Sequence, residues 1–403
     1  MKIPDTVPEQ FDYNLPAERI ARYPLPERDS SKLLVYRQGN ISESRFSAIG
    51  EFLREDDILV VNNTRVIRAR LFFFKPSGAR IEIFCLEPHD PPDYDRVFKQ
   101  TGSVVWKCMI GNARKWKEED LTGSITAGGG TVELRARRLA EERGEALVRF
   151  SWDNAGITFG EILDTAGKVP LPPYLNREAE EEDVRTYQTL FARYEGSVAA
   201  PTAGLHFSDR LIASLKKKVN LDEITLHVGA GTFKPIQSDT IREHTMHTEH
   251  YEVNPGTLKQ LLENDIRIIA IGTTSVRTLE SLYWLAVKLH SAKDTTPQDM
   301  HTGQWEPYSS APGLTRKEAI ETVLDYIQKY PLTSLHATTQ LMIVPGYIFR
   351  MVDGMVTNFH LPRSSLLMLV AAFIGDDWKK VYDYALQNDF RFLSYGDGSI
   401  LFP

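Results

Sequence analysis

Apolar residues change their spacing twice along this chain, dividing it into three stretches. The first begins with an extended lead and a short helix around Phe11–Pro24. A polar loop at Arg28–Ser31 then opens into the strand Lys32-Leu-Leu-Val-Tyr. A helix near 47–54 and the apolar strand Ile58–Val61 follow, ending in Asn62-Asn-Thr-Arg. From about 66 to 152 short β-rich runs recur at 66–74, 80–87, 103–110, 121–126, 131–138 and 145–151. Lys75-Pro-Ser-Gly, Ala127-Gly-Gly-Gly and Glu142-Arg-Gly-Glu separate some of them as turns. In Arg80-Ile-Glu-Ile-Phe-Cys, residues 81, 83 and 85 share one face, as a half-buried strand requires. Short strands without a helix predict a small barrel or sandwich, with a polar loop at 87–101.

After 152 helical spacing returns, over 155–167 and 178–194, with Val169-Pro-Leu-Pro-Pro-Tyr as an extended connector. Ser208 caps a helix running to Lys218, and Asp222–Val228 reads as a strand. The buried strand Arg267-Ile-Ile-Ala-Ile-Gly passes through Thr-Thr-Ser into a helix over Val276–Leu289. Residues 290–314 read as a loop, and Thr315 with Glu318 makes a capping box for a helix to about Tyr330. Strands at Gln340–Val344 and Gly354–Asn358 and helices at Leu366–Phe373 and Asp376–Asn388 complete the pattern. The expected fold is therefore an α/β main domain, discontinuous over 1–65 and 153–403, with a small all-β barrel domain inserted at 66–152.

Composition narrows the class. Hydrophobic residues make up 42% and charged residues 25%, as in globular proteins, and no apolar run approaches a bilayer span. The opening Met-Lys-Ile-Pro-Asp-Thr-Val-Pro-Glu has no apolar signal core, so a cytoplasmic protein is expected. Cys85 and Cys108, the only two cysteines, sit in strand-like runs and read as reduced packing residues. The net charge of −7 argues against a general nucleic-acid coat but leaves room for a local basic groove. Arg65–Arg70, Arg135–Arg138 and Lys216–Lys218 are the stretches that could line one, against the plainer reading of solvated edges.

Candidate chemistry concentrates where half of the ten histidines fall, between 206 and 250. Ala199-Ala-Pro-Thr-Ala-Gly-Leu-His-Phe, Leu226-His-Val-Gly-Ala-Gly-Thr-Phe and His244-Thr-Met-His-Thr-Glu-His combine imidazoles, hydroxyls and glycines. These are the residue types that move protons near neutral pH and let backbone approach a ligand. His244, His247 and His250 with Glu249 are zinc-ligand types, but the spacing is not His-Glu-x-x-His. If that segment is extended, 244 and 247 face opposite sides, so acid–base or substrate contact ranks ahead of metal. Gly229-Ala-Gly231 lacks the third glycine of a dinucleotide fingerprint, which disfavours a nicotinamide enzyme. Gly272-Thr273-Thr274-Ser275 at a strand–helix junction, with Arg277 one turn on, suits a carboxylate or phosphate. Thr357-Asn-Phe-His360-Leu-Pro-Arg363-Ser-Ser gathers an amide, an imidazole and a guanidinium at another junction, beyond what a helix cap needs. Phe390-Arg391-Phe-Leu-Ser-Tyr395-Gly-Asp397 reads either as a terminal strand and turn or as a further wall of the site.

Taken in order, these segments resemble the S-adenosylmethionine:tRNA ribosyltransferase-isomerase family of queuosine biosynthesis. The resemblance runs almost end to end, through Arg28-Asp-Ser-Ser-Lys-Leu-Leu, Asn63-Thr-Arg-Val-Ile, Leu171-Pro-Pro-Tyr and Tyr187-Gln-Thr. It is sharpest at Pro201-Thr-Ala-Gly-Leu-His-Phe, His227-Val-Gly-x-Gly-Thr-Phe, Gly272-Thr-Thr-Ser-Val-Arg-Thr-Leu-Glu and Thr357-Asn-Phe-His-Leu-Pro. Departures include Phe390 in place of the usual tyrosine, Ser365 in place of threonine, and extra residues near 87–101 and 287–314. The resemblance implies an α/β fold interrupted by a β-barrel. It also implies transfer of the ribosyl part of S-adenosylmethionine to 7-aminomethyl-7-deazaguanine at the tRNA wobble position, releasing adenine and methionine. S-adenosylmethionine is then a consumed substrate, with no cofactor and no metal, and the partner is a tRNA anticodon loop.

On that reading His206, His244, His247 and His360 are the proton-transfer candidates. Thr202, Gly204, Gly229, Gly231 and Thr232 are expected against the nucleoside, and Thr273, Thr274, Ser275 and Arg277 against an anion. Glu249 and Asp397 are expected to orient an imidazole or amine, and Asn358 and Arg363 to contact substrate. Tyr395, or with less reason Phe207 or Phe359, would stack a base, and Arg65, Arg68 and Arg70 would grip phosphates. Two rivals from other classes are a binding protein that kept the fold but lost turnover, and a metal-dependent hydrolase built on the histidine run.

Overall fold

A computed structural model describes residues 5–403 except 118, 143, 230, 232–235, 237, 264–265, 293–294, 297–298 and 310–312. The hairpin β1 (Lys32–Arg37) and β2 (Asn40–Arg45) leads into β3 (Asp57–Asn62) and the short β4 (Thr64–Val66). Six strands follow: β5 (Arg70–Phe74), β6 (Arg80–Asp90), β7 (Ser103–Gly111), β8 (Leu121–Ala127), β9 (Gly130–Glu142) and β10 (Glu145–Trp152). The remainder holds β11 (Tyr194–Ser197), β12 (Asn220–Leu226), β13 (Glu249–Val253), β14 (Arg267–Ile271), β15 (His301–Thr302), β16 (Leu335–Thr339), β17 (Gly354–Asn358) and β18 (Gly398–Phe402).

Strands from both ends of the chain build one mixed sheet, in the order β15-β16-β13-β12-β3-β14-β17-β18-β1-β2. At its centre β12, β3, β14 and β17 run parallel. Such strands are covered on both faces, which explains the unbroken apolar runs of β3 and β14. Ile58, Val60, Ile268 and Ala270 join the core beneath the helix Thr273–Ser291. Leu59, Val61, Ile269 and Ile271 face the other way, onto Phe46, Phe207 and Leu211.

β5 to β10 form a separate antiparallel sheet, ordered β5-β6-β7-β10-β9-β8. Ile81, Ile83 and Cys85 point into its core together with Phe73, Trp106 and Phe150, as the alternation required. The sheet curls until it nearly closes: Gly123 of β8 has the Phe73 ring of β5 3.6 Å from where its Cβ would stand. The helix Phe159–Ala166, held by a Thr158–Glu161 capping box, packs into this same core.

Several local expectations gave way to tertiary contacts. The helix expected over 178–194 is only Asp183–Thr186, and Tyr194–Ser197 is a strand. There, Arg177 donates two 2.6 Å hydrogen bonds to the buried Asp183 carboxylate, folding the acidic stretch around it. The strand expected at Gln340–Val344 is displaced to Leu335–Thr339. The N–H groups of Gln340 and Met342 instead donate to Thr302 and Gln304 carbonyls in the 290–314 stretch, which is not wholly loop. The helix expected near 47–54 is a 3-10 helix, Phe46–Phe52. The 66–74 run is split between β4 and β5, and the polar 87–101 loop contains the short helix Tyr94–Phe98.

Candidate functional site

Open α/β sheets bind ligands beyond the carboxyl ends of their parallel strands. A cleft of about 710 Å³, counted to its open mouth, lies there, beyond β14 and β17. Its walls come from Ala200–Ala203, Gly272–Thr274, Thr357–Leu361 and Leu393–Ser394, with Tyr174 and Tyr187 across from them. Segments more than 150 residues apart in sequence thus meet at one place. Gly272 makes the turn from β14 into the helix with φ +88° and ψ 154°, a region essentially closed to side-chain-bearing residues. The helix starts without a side-chain cap, so its first N–H groups are left open toward the cleft wall.

Among the described residues, three buried polar atoms of the cleft lining have no protein partner: Thr274 Oγ1, Asn358 Oδ1 and Tyr187 Oη. Orphaned groups of this kind are rare unless a ligand or water satisfies them. The Asn358 amide is fixed from its other end: Nδ2 donates to the Leu393 carbonyl at 3.0 Å and to His206 Nε2 at 3.3 Å. His206 Nδ1 therefore carries the proton and donates to Ser31 Oγ at 2.8 Å. Its ring stacks on Phe46 at 4.5 Å, and burial, helped by Arg391 and Arg28, pushes its pKa down to about 3. His360 lines the cleft directly, with Nε2 2.8 Å from Thr357 Oγ1. Burial likewise lowers its pKa to about 3, so both imidazoles are neutral at physiological pH.

The remaining sequence candidates divide. Thr202, Thr273 and Thr274 line the cleft. Ser275 sits just behind, its hydroxyl donating to the Ile271 carbonyl at 2.8 Å. Arg277 forms a buried ion pair with Glu249 and donates through Nε to the Leu341 carbonyl, and its buried Nη2 has no partner among the described residues. Glu249 also accepts from the Gly229 N–H at 3.2 Å. Gly231 admits the His247 ring, which comes within 1.6 Å of where a Cβ would be. Gly204 packs against Thr189 rather than lining the cleft, and Thr232 lies outside the described residues. His244 is half-buried, with a pKa lowered by burial and by His247; neither ring is in the cleft wall.

Asp397 accepts from the N–H groups of Lys32 and Arg391, and Arg363 stands 3.6 Å from Asp12. Phe207, Phe359 and Tyr395 are all buried, so none presents an open ring face to a base. Tyr395 donates instead to Asp183 at 3.2 Å. Arg65, Arg68 and Arg70 are paired with Glu195, Glu181 and Glu82. Among the described residues no three His, Cys, Asp or Glu side chains converge as a metal ligand set.

Residue-type reasoning passed over Tyr174, Tyr187 and Ser394 as site residues. Tyr174 Oη and Ser394 Oγ share a 2.7 Å hydrogen bond at the cleft. The signal was present, since Leu171-Pro-Pro-Tyr and Tyr187-Gln-Thr were among the segments carrying the resemblance. His227 was also left out of the proton-transfer set. It is buried against Tyr94 at 4.4 Å, bonded to Thr64 Oγ1 at 3.0 Å, and held to a pKa of about 3 by burial and His250.

Known proteins resemble the chain over nearly its whole length. The family described as "Queuosine biosynthesis protein" matches residues 8–401. A protein of Chlorobaculum parvum named S-adenosylmethionine:tRNA ribosyltransferase-isomerase is 37% identical, over 98% of this chain and 99% of its own. Proteins of the same name from Trichlorobacter lovleyi and Halothermothrix orenii are 37% and 35% identical, at the same coverage. A solved S-adenosylmethionine tRNA ribosyltransferase from Thermotoga maritima is 29% identical over 97% of this chain and 99% of that one, with a TM-score of 0.44. From the match across its whole described fold, this chain belongs to the queuosine biosynthesis protein family.

Proposed function

We propose that this protein is an S-adenosylmethionine:tRNA ribosyltransferase-isomerase. It moves the ribosyl part of S-adenosylmethionine onto the aminomethyl group of 7-aminomethyl-7-deazaguanine in tRNA, giving epoxyqueuosine-tRNA, adenine and methionine. The observation that carries this reading is end-to-end identity of 35–37% to three proteins of that name. The cleft supports it by offering neutral imidazole, hydroxyl, amide and open helix N–H groups side by side. We take residues 66–152 as an inserted barrel domain, supported by the separate core of β5 to β10.

The sulfonium acidifies the adjacent 5′ carbon, so a base can remove a proton there. Loss of adenine with proton donation, attack by the amine, and ring closure with departure of methionine follow. His360 in the cleft wall can take the proton from carbon while neutral, and the imidazolium so formed, strongly acidic in its buried setting, can pass that proton to the leaving adenine. Gly272–Thr274 line the same cleft as His360, so a substrate bound along that turn is placed beside the imidazole.

Incubating the protein with labelled S-adenosylmethionine and tRNA bearing the deazaguanine precursor tests the reading. Stoichiometric release of adenine and methionine, with label in tRNA, is the expected result. Binding of both substrates without release would favour a re-purposed binding protein and overturn the enzyme assignment.

A further inference from the structure

Two of the three orphaned atoms of the cleft, Asn358 Oδ1 and Thr274 Oγ1, have opposite hydrogen-bonding characters. Asn358 is 2% exposed, and its Oδ1 can only accept. The Leu393 carbonyl, which also can only accept, fixes the amide so that Nδ2 faces it and Oδ1 is left over. Thr274 Oγ1 is free to donate, beside the uncapped start of a 19-residue helix whose dipole favours negative charge. Ile271 of β14 pairs with Val356 of β17, so Asn358 at the end of β17 and Thr274 in the first helical turn after β14 belong to neighbouring strand ends. The cleft lining thus offers an electropositive helix end and a neutral acceptor from adjacent segments.

Among the described residues that line the cleft there is no Asp, Glu, Lys or Arg. A lone ammonium or carboxylate would enter it without a counter-charge, at considerable desolvation cost. A zwitterion brings its own counter-charge. We propose, building on the S-adenosylmethionine reading above, that this cleft seats the α-amino-acid end of that substrate. The carboxylate lies on the helix N-terminus at Thr273–Ser275 and accepts from Thr274 Oγ1, and the ammonium donates to Asn358 Oδ1. His206, which does not line the cleft, is a positioning residue that holds the Asn358 amide in this orientation through its Nε2.

Titration calorimetry of the full chain with S-adenosylmethionine and two analogues, one lacking the carboxylate and one lacking the amine, tests this. The protein should bind each analogue at least tenfold more weakly than S-adenosylmethionine. Asn358→Ala should lose the preference over the amine-free analogue while keeping that over the carboxylate-free one. Thr274→Val should narrow only the carboxylate preference. His206→Phe should repeat the Asn358→Ala pattern, a selectivity change that general loosening of the fold would not give. If Asn358→Ala does not fold, Thr274→Val and His206→Phe carry the test. Binding of S-adenosylmethionine without discrimination against either analogue overturns the subsite alone. Failure to bind S-adenosylmethionine at all overturns both the subsite and the function on which it rests.

Discussion

His360 and His206 show how little an imidazole's identity says about its job. Both are neutral and buried, with pKa values near 3, yet only His360 stands in the cleft wall. In the sequence both lie beside small and polar residues, the local pattern that made them candidates. Whether a ring faces substrate or a neighbouring amide depends on contacts with Asn358, 152 positions away. If His360 moves a proton in the reaction, His360→Ala should lower kcat by about 10²-fold or more. S-adenosylmethionine affinity should change far less, as read by single-turnover kinetics alongside calorimetry. Turnover within a few-fold of the parent would remove His360 from proton transfer. Arg277, expected against an anion, pairs through Nη1 with the buried Glu249 carboxylate, while its Nη2 has no partner among the described residues.

At the scale of elements, local signals worked wherever the stabilising contacts were local. The Thr315–Glu318 box and the Ser208 cap form as the spacing requires, because their partners lie within one helical turn. The 178–194 stretch misled because Arg177, six residues before Asp183, and Tyr395, far along the chain, both bond the buried Asp183 carboxylate, contacts that helical spacing does not encode. The turn from β14 into its helix is the element on which the cleft depends. Gly272→Ala should cost about 1–3 kcal/mol of stability, since φ +88° with ψ 154° is strained for any side-chain-bearing residue. It should also weaken S-adenosylmethionine binding, because relief of the strain would reorient the first turn. Urea denaturation and calorimetry on the same preparation read both effects. An alanine variant unchanged in both would show that the turn has no special role.

For the molecule as a whole, three imidazoles from separate segments, His206, His227 and His360, are each buried with pKa values of about 3. In the unfolded chain they would titrate near 6.5. Between those values the unfolded state binds protons that the folded state refuses, so stability is full above about pH 6.5 and falls as the pH drops. The limiting slope is about 1.4 kcal/mol per pH unit for each histidine. Urea midpoints measured from pH 7 to pH 5 should therefore fall steeply, and His227→Gln should make the fall shallower by about a third. A flat profile over that range would contradict the buried, neutral state of these rings.

Much of this protein was settled by sequence alone. Apolar alternation marked the barrel strands, unbroken apolar runs marked β3 and β14 at the centre of the parallel sheet, and ordered motifs pointed to the family, because each rests on local periodicity or composition. Which side chains meet was decided only by the tertiary structure. It brought 200–203, 272–274, 357–361 and 393–394 to one edge of a ten-stranded sheet and set Tyr174 and Tyr187 opposite. It also tied Arg65, Arg68, Arg70 and Arg277 to carboxylates. The physical reason is that hydrogen-bond satisfaction and charge pairing act between atoms near in space, and folding places those atoms without regard to their separation along the chain.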